Sequence, residues 1–166
     1  MQLRTATLDD LETLQWWHQQ AHVVDAGSDV NYNWERELSR QPEWREQLMA
    51  EVDGRAVGFV QIYDPYDDEA HRWGNVTRKL RAIEVWIGDA ENLNKGYGTI
   101  IMQLAMARCF DNPDVHALLV DPLANNRKAQ RFYARLGFKF IETKTIENES
   151  CYVLKITREQ YQKMAV

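Results

Sequence analysis

Residues 81–120 hold the unit that most narrows the folds open to this chain. Arg81 to Gly88 (RAIEVWIG) reads as a strand, and a polar, glycine-containing turn follows it. Tyr97 to Phe110 then carries Ile100, Ile101, Leu104 and Ala107 at helical spacing, which predicts an inward stripe, and Asn112-Pro113 stops that helix. Val115 to Val120 is a continuous apolar run broken only by His116, the pattern of a central strand covered on both faces. Strand, helix and strand in this order require a right-handed crossover between parallel strands. The crossover puts the glycine turn at the carboxyl end of the first strand, where α/β sheets bind ligands.

The flanking segments extend the sheet. Gln2 to Ala6 reads as a strand, and Thr7 with Asp10 three later opens a helix with Leu11, Leu14 and Trp17 inward and Glu12, Gln15 and Gln19 outward. Asp25 to Asn33 loses its period around Gly27-Ser28-Asp29, and a short helix is expected at about Trp34 to Arg40. Gln47 to Val52 and Ala56 to Tyr63, joined through Asp53-Gly54, form a hairpin; Asp64 to Lys79 is a long loop. After Asp121-Pro122, a helix from about Asn126 to Leu136 places Ala129, Phe132, Tyr133 and Leu136 on one face, with Gly137 as its C-terminal cap. Phe138 to Ile146 and Cys151 to Ile156, joined at Glu147-Asn148-Glu149, complete the sheet, and Thr157 with Gln160 opens a terminal helix. The expected class is α/β, a mixed sheet of six to seven strands with helices on both faces.

With 166 residues, 45% of them apolar, the chain supports one substantial core, so a single domain over 1–166 is expected. No run approaches the roughly 20 apolar residues of a membrane span, and MQLRTATLDD lacks signal-peptide order, which predicts a cytoplasmic protein with no membrane partner. A net charge of −5 disfavours nucleic acid and suits a cationic small molecule. Cys109 and Cys151 read as buried, reduced thiols. His18 and His22 lie four apart with no further ligand type beside them, so no metal is expected.

Asn92-Leu93-Asn94-Lys95-Gly96-Tyr97-Gly98-Thr99 joins strand directly to helix. Glycine allows close backbone approach, and the first helical N–H groups carry partial positive charge, so phosphate fits there. The spacing is neither GxGxxG nor GxxxxGK[ST]. Downstream, DPLANNRKAQRFYARLGF sets Asp121, Asn126, Ala129, Tyr133 and Leu136-Gly137-Phe138 in fixed order. Together, KGYGT and this second segment resemble the core of the GNAT acetyltransferases, whose sheet is centrally splayed. The resemblance implies that Asn94, Lys95, Gly96, Tyr97, Gly98 and Thr99 cradle the pyrophosphate of acetyl-CoA. It also implies that Val85, Trp86, Ile87, Asn126, Lys128, Ala129 and Tyr133 attend the rest of that cosubstrate. Trp17-His18-Gln19-Gln20-Ala21-His22-Val23, Arg81-Ala82-Ile83-Glu84 and Phe110-Asp111-Asn112-Pro113 make the chain most similar, within the superfamily, to aminoglycoside 6'-N-acetyltransferases. Two departures stand out. Leu93 replaces the Gln or Arg that opens the family's phosphate loop, and Glu84 replaces an Asp.

Amine chemistry then sets the roles. An alkylammonium of pKa about 10.4 is free base in roughly one molecule in a thousand at neutral pH, and only the free base attacks a thioester. Glu84, the lone acid in an apolar strand, is a candidate proton acceptor, directly or through a water; a buried ion pair with Arg81 or another Arg is the plainer alternative. Asp121, ending the neighbouring strand, is expected to bind the cation and assist; a turn-forming Asp-Pro is its alternative. By the resemblance, Tyr133 is the general acid for the CoA thiolate, against a core role. Asn126 is either a pantetheine ligand or a helix cap, and Arg127, Lys128 and Arg131 either meet the 3'-phosphate or are solvated. Trp17, His22, Asp25 and Tyr63 join Glu84 and Asp121 as expected acceptor-binding residues. Asp29, Asp67, Asp68 and Glu69 are candidates for steering a polycation, and Trp16, Trp34, Trp73 and Trp86 offer flat surfaces or core. The expected activity is acetyl transfer to the 6'-amine of an aminoglycoside-like molecule, by a monomer or homodimer. The alternatives are another amine acceptor, or a non-catalytic acyl-CoA-binding module.

Overall fold

The computed structural model describes residues 1–29 and 31–165; Val30, inside the loop expected at 25–33, lies outside them. Among the described residues seven strands form: β1 (Gln2–Thr5), β2 (Arg45–Val52), β3 (Arg55–Tyr63), β4 (Leu80–Ile87), β5 (Ala117–Val120), β6 (Lys139–Ile146) and β7 (Glu149–Thr157). They make one mixed sheet in the order β1-β2-β3-β4-β5-β7-β6. The helices are α1 (Leu11–His18), α2 (Ala21–Val24), α3 (Trp34–Leu38), α4 (Tyr97–Asp111), α5 (Arg127–Arg135) and α6 (Arg158–Met164). Packing divides the chain into two compact units, Met1–Ile62 with Glu84–Ala105, and Tyr63–Ile83 with Met106–Val166.

In the first unit, β1 pairs antiparallel with β2, Leu3 opposite Ala50. The Thr7 hydroxyl and the Asp10 carboxylate form a reciprocal capping box ahead of α1. Asp10 also accepts two hydrogen bonds from Arg4, at 2.7 and 2.8 Å. Burial alone would raise the Asp10 carboxyl, but the Arg4 guanidinium and the Thr7 N–H outweigh it and hold it below the usual range. Leu14 and Trp17 of α1, Trp34 and Leu38 of α3, and Met49 and Phe59 of the sheet share one core, with Leu14 fully buried. Burying a side chain of that size contributes about 1.5–3 kcal/mol.

Two glycines set how closely this unit packs. A Cβ added at Gly58 would lie 2.8 Å from both the Ile101 side chain and the Trp86 carbonyl, so its absence lets β3, β4 and α4 close up. Because Phe59 faces α1 and α3 while Gly58 faces Ile101, the helices lie on opposite faces of the sheet within this unit. At Gly88, a Cβ would fall inside the Trp17 indole. The Asp53-Gly54 turn has positive φ at both positions (51° and 75°), the geometry that favours Asp-Gly in two-residue hairpins.

In the second unit, Leu80, Arg81 and Ala82 pair in parallel with Ala117, Leu118 and Leu119. All four residues of β5 are buried, as its apolar run requires. The β6–β7 hairpin turns at Glu147 and Asn148, both with positive φ, so β7 begins two residues earlier than its apolar stretch suggests. Helix α5 ends in a Schellman motif: the Phe138 N–H bonds the Tyr133 carbonyl (3.1 Å) and the Gly137 N–H bonds the Ala134 carbonyl (3.0 Å), with Gly137 at φ 93°. Arg158, opening α6, donates to the carbonyls of Phe110, Asn112 and Val115. The long loop is ordered around Trp73, which is 1% exposed and donates its indole N–H to Tyr63 Oη at 2.8 Å.

The expected stripe on α4 is corrected. Ile100 is 42% exposed and Ala107 is exposed, while Ile101, Met102, Ala105, Met106 and Cys109 are buried. Ile100 to Ala107 is apolar at all but one position, so its pattern barely distinguishes one helical face from the next.

Candidate active site

The glycine turn leads from β4 through a 3-10 turn at Ala90–Asn92 into α4. Asn94 (φ 60°) and Gly96 (φ 82°) both take the left-handed conformation, and a Cβ at Gly96 would meet nothing within 4 Å. Successive amides in such a turn form an anion-binding concavity, and the first-turn N–H groups of a 15-residue helix have no intrahelical acceptors. Lys95 is exposed beside it, and Leu93 is half-buried.

Glu84 lies mid-way along β4 and is half-buried. Its Oε2 accepts a hydrogen bond from Gln61 Nε2 at 3.1 Å. Arg81, one partner considered for Glu84, bonds Asp64 at 3.0 Å. One strand face alternates Glu84 with Trp86, whose ring stands 5.0 Å from Phe59 and 5.5 Å from His18. His18 is buried and accepts from Trp34 Nε1 through Nδ1 (2.8 Å); burial pushes its pKa down, outweighing the opposing charge of Asp29. His22 donates through Nε2 to the Ile87 carbonyl at 2.8 Å, fixing the end of β4.

In the second unit, Asp121 follows β5 and is half-buried. It lies close enough to Cys151 to act on it: burial, with the charges of Asp121 and Glu149, pushes that thiol up to about 11. Asn126 caps α5, its Oδ1 accepting from the Ala129 N–H at 3.1 Å. Tyr133 is 8% exposed, its ring against Phe132 and Phe138.

The acetyltransferase (GNAT) domain family matches residues 6–146. The chain belongs to the GNAT acetyltransferases. An aminoglycoside N(6')-acetyltransferase type 1 of Klebsiella pneumoniae is 25% identical over 171 residues, covering 97% of this chain and 85% of that protein. A kanamycin resistance protein of Rhizobium radiobacter is 27% identical over 84 residues, 51% of this chain and 78% of its own. Among solved structures, the aminoglycoside acetyltransferase AAC(6')-Ib in complex with coenzyme A and kanamycin superposes with a TM-score of 0.88 at 24% identity, covering 99% and 98% of the two chains. The spermidine N-acetyltransferase of Vibrio cholerae in complex with CoA and spermine shares the fold with a TM-score of 0.78 at 14% identity, covering 97% of each chain.

As a GNAT enzyme the chain is an acetyl-CoA-dependent N-acetyltransferase. The glycine turn fits that cosubstrate, since its left-handed residues and open Gly96 leave amides accessible to a diphosphate. Among the described residues, no group of three or more His, Cys, Asp or Glu could hold a metal, and no helix is long and apolar enough to cross a membrane. Cys109 and Cys151 are both buried and neither is in a disulfide.

Some expected acceptor contacts are corrected. Trp17 and Tyr63 are each 2% exposed; the first fills the α1 core against Gly88, and the second packs beside Trp73 and under Arg72, so neither presents a face to a small molecule. Asp68 is likewise buried, bonded to Arg72 at 2.9 Å and to the Ala70 and Arg72 amides. Trp34 and Trp73 are core, whereas Trp16 is 59% exposed. Asp25, Asp29, Asp67 and Glu69 are exposed. Sequence reading of the GNAT site passed over Gln47 and Gln61, which are 8% and 4% exposed. The signal that picked out Glu84 applies to Gln61 too, a single polar side chain inside the apolar strand AVGFVQIY.

Proposed function

We propose that this enzyme acetylates a primary amine of a cationic, aminoglycoside-like molecule, at a 6'-amine, with Glu84 as proton acceptor. The observation that supports Glu84 as the base is its place, a half-buried carboxylate in an apolar strand whose Oε2 accepts from the Gln61 amide at 3.1 Å. A half-buried carboxylate within hydrogen-bond reach of a cationic amine can accept its proton. Likeness to aminoglycoside 6'-acetyltransferases over nearly the whole chain supports the acceptor class.

In this reading the substrate ammonium gives one proton to Glu84, directly or through a water. The amine nitrogen attacks the thioester carbonyl, the new C–N bond forms, the C–S bond breaks, and the sulfur leaves with a proton. Tyr133 supplies that proton and is restored by the second proton, which the nitrogen sheds as the tetrahedral intermediate collapses. Asp121 holds the substrate cation, with His22 and Asp25 as further acceptor contacts. Asn94 to Thr99 hold the diphosphate through backbone amides; Val85 to Ile87, Asn126, Lys128 and Ala129 line the pantetheine arm and nucleotide. The net reaction is acetyl-CoA plus ammonium giving amide, CoA and one proton, which Glu84 returns to solvent.

CoA release with kanamycin, spermidine and free amino acids tests the assignment. Turnover with kanamycin, reduced about 100-fold or more in Glu84→Gln, is expected from the loss of a general base. It would place aminoglycoside resistance among the enzyme's roles. Turnover only with spermidine would reassign the acceptor, and no turnover with any amine, despite acetyl-CoA binding, would favour a binding module.

A further inference from the structure

A line of buried and half-buried polar side chains runs through the first unit and reaches Glu84. Arg45, 8% exposed, donates to Glu37 Oε2 at 2.6 Å and to Tyr32 Oη at 3.3 Å. Gln47 donates one Nε2 hydrogen to Tyr32 Oη at 2.7 Å and the other to Gln61 Oε1 at 3.0 Å. Gln61 then donates from Nε2 to Glu84 Oε2 at 3.1 Å.

The chain has a direction. Gln47 spends both amide hydrogens on oxygen acceptors, so Gln61 must turn its own oxygen toward Gln47 and its NH2 toward Glu84. Rotating the Gln61 amide by half a turn would set two amide nitrogens face to face at one end and oppose an oxygen to the carboxylate at the other. The far end is pinned by the Arg45–Glu37 ion pair. The Tyr32 hydroxyl, pushed up to about 12 by burial, stays protonated and cannot become a competing charge. Two glutamines within the sheet cost free energy to desolvate, a cost offset only when their hydrogen bonds are complete.

We propose that Gln61 is a positioning residue for Glu84, held in its donating orientation by Gln47 and Tyr32, so that the carboxylate is fixed in one rotamer and kept ionised for the substrate amine. This rests on Glu84 being the base. A donor to the charged form favours ionisation, and a locked rotamer removes the search for a productive geometry.

The test uses the full chain with acetyl-CoA and kanamycin, comparing wild type, Gln61→Met, Tyr32→Phe, Glu84→Gln and the Gln61→Met/Glu84→Gln pair across pH. Methionine keeps the glutamine volume while removing both polar atoms. Gln61→Met is expected to lower kcat about tenfold, leave KM for acetyl-CoA within about twofold, and move the acid limb of the profile up by roughly half a pH unit to one. Tyr32→Phe should act in the same direction but less, and it keeps the idea testable if Gln61→Met folds poorly. In the Glu84→Gln background, Gln61→Met should cost nothing further. Carbon-13 titration of the Glu84 carboxyl gives a readout that needs no acceptor, and its midpoint should rise in Gln61→Met. A wild-type kcat and profile in Gln61→Met, losses that multiply in the double variant, or an unmoved midpoint would each overturn the positioning role while leaving the base assignment standing. A fully active Glu84→Gln would instead remove the base, and the positioning role with it.

Discussion

Gly88→Ala isolates a single contact that the fold depends on. The added methyl would fall inside the indole of Trp17, which is 2% exposed and walled in by the α1–α3 core. Gly88 cannot retreat easily, because its N–H bonds the Val57 carbonyl at 3.0 Å. Overpacking typically costs about 1–3 kcal/mol, and expelling a buried tryptophan approaches the truncation cost of about 3–5 kcal/mol. A loss near 3 kcal/mol is therefore expected. With a urea m-value of about 2 kcal/mol/M, the midpoint should fall by about 1.5 M. Trp17→Leu removes the ring that the methyl would strike, so in that background Gly88→Ala should cost less than about 0.5 kcal/mol. A midpoint shift below about 0.3 M in the single variant, or additive losses in the pair, would refute the steric account.

Asp10→Asn should destabilise by about 1 kcal/mol at neutral pH, the scale of a lost cap. Since the folded carboxyl is held below its unfolded value, that contribution is present above the unfolded pKa and fades as pH falls through the folded one, so wild type and variant should converge below about pH 4 in urea titrations. His18 is depressed by burial and uses Nδ1 to accept from Trp34, so protonation opposes folding. Wild-type thermal stability should therefore drop as pH falls below about 6.5, and His18→Gln should flatten that drop between pH 7 and 5. Gly96→Ala should cost about 1 kcal/mol from its left-handed backbone with no clash, and calorimetry should show acetyl-CoA affinity reduced about tenfold or more, because the methyl occupies the path of a phosphate to the amides.

Features written in local chemistry could be read directly from the sequence. Thr7 with Asp10, Thr157 with Gln160, Asp53-Gly54 and Gly137 each carry a cap or turn whose geometry depends on near neighbours, and each forms as expected, while Asn126 takes the capping alternative. The order of strands followed from the same punctuation. Features set by distant partners were not readable. Trp17 and Tyr63 carry surfaces that suit a sugar as well as a core, and only the fold, by setting Gly88 and Trp73 against them, decides for the core. Asp68 sits among acids that look solvated, yet Arg72 and two amides draw it inside. Gln61 and Gln47 stand 14 residues apart, and their link to Glu84 appears only when three strands lie side by side.

Arg158 has a practical consequence for anyone shortening this protein. One guanidinium bonds three main-chain oxygens at the end of α4 and the approach to β5, and its own amide bonds the His116 carbonyl. A polypeptide stopped at Thr157 would retain every strand, yet leave Phe110, Asn112 and Val115 without those donors. Fusion partners belong beyond α6, and a tag replacing it should loosen the corner that leads into the central strand.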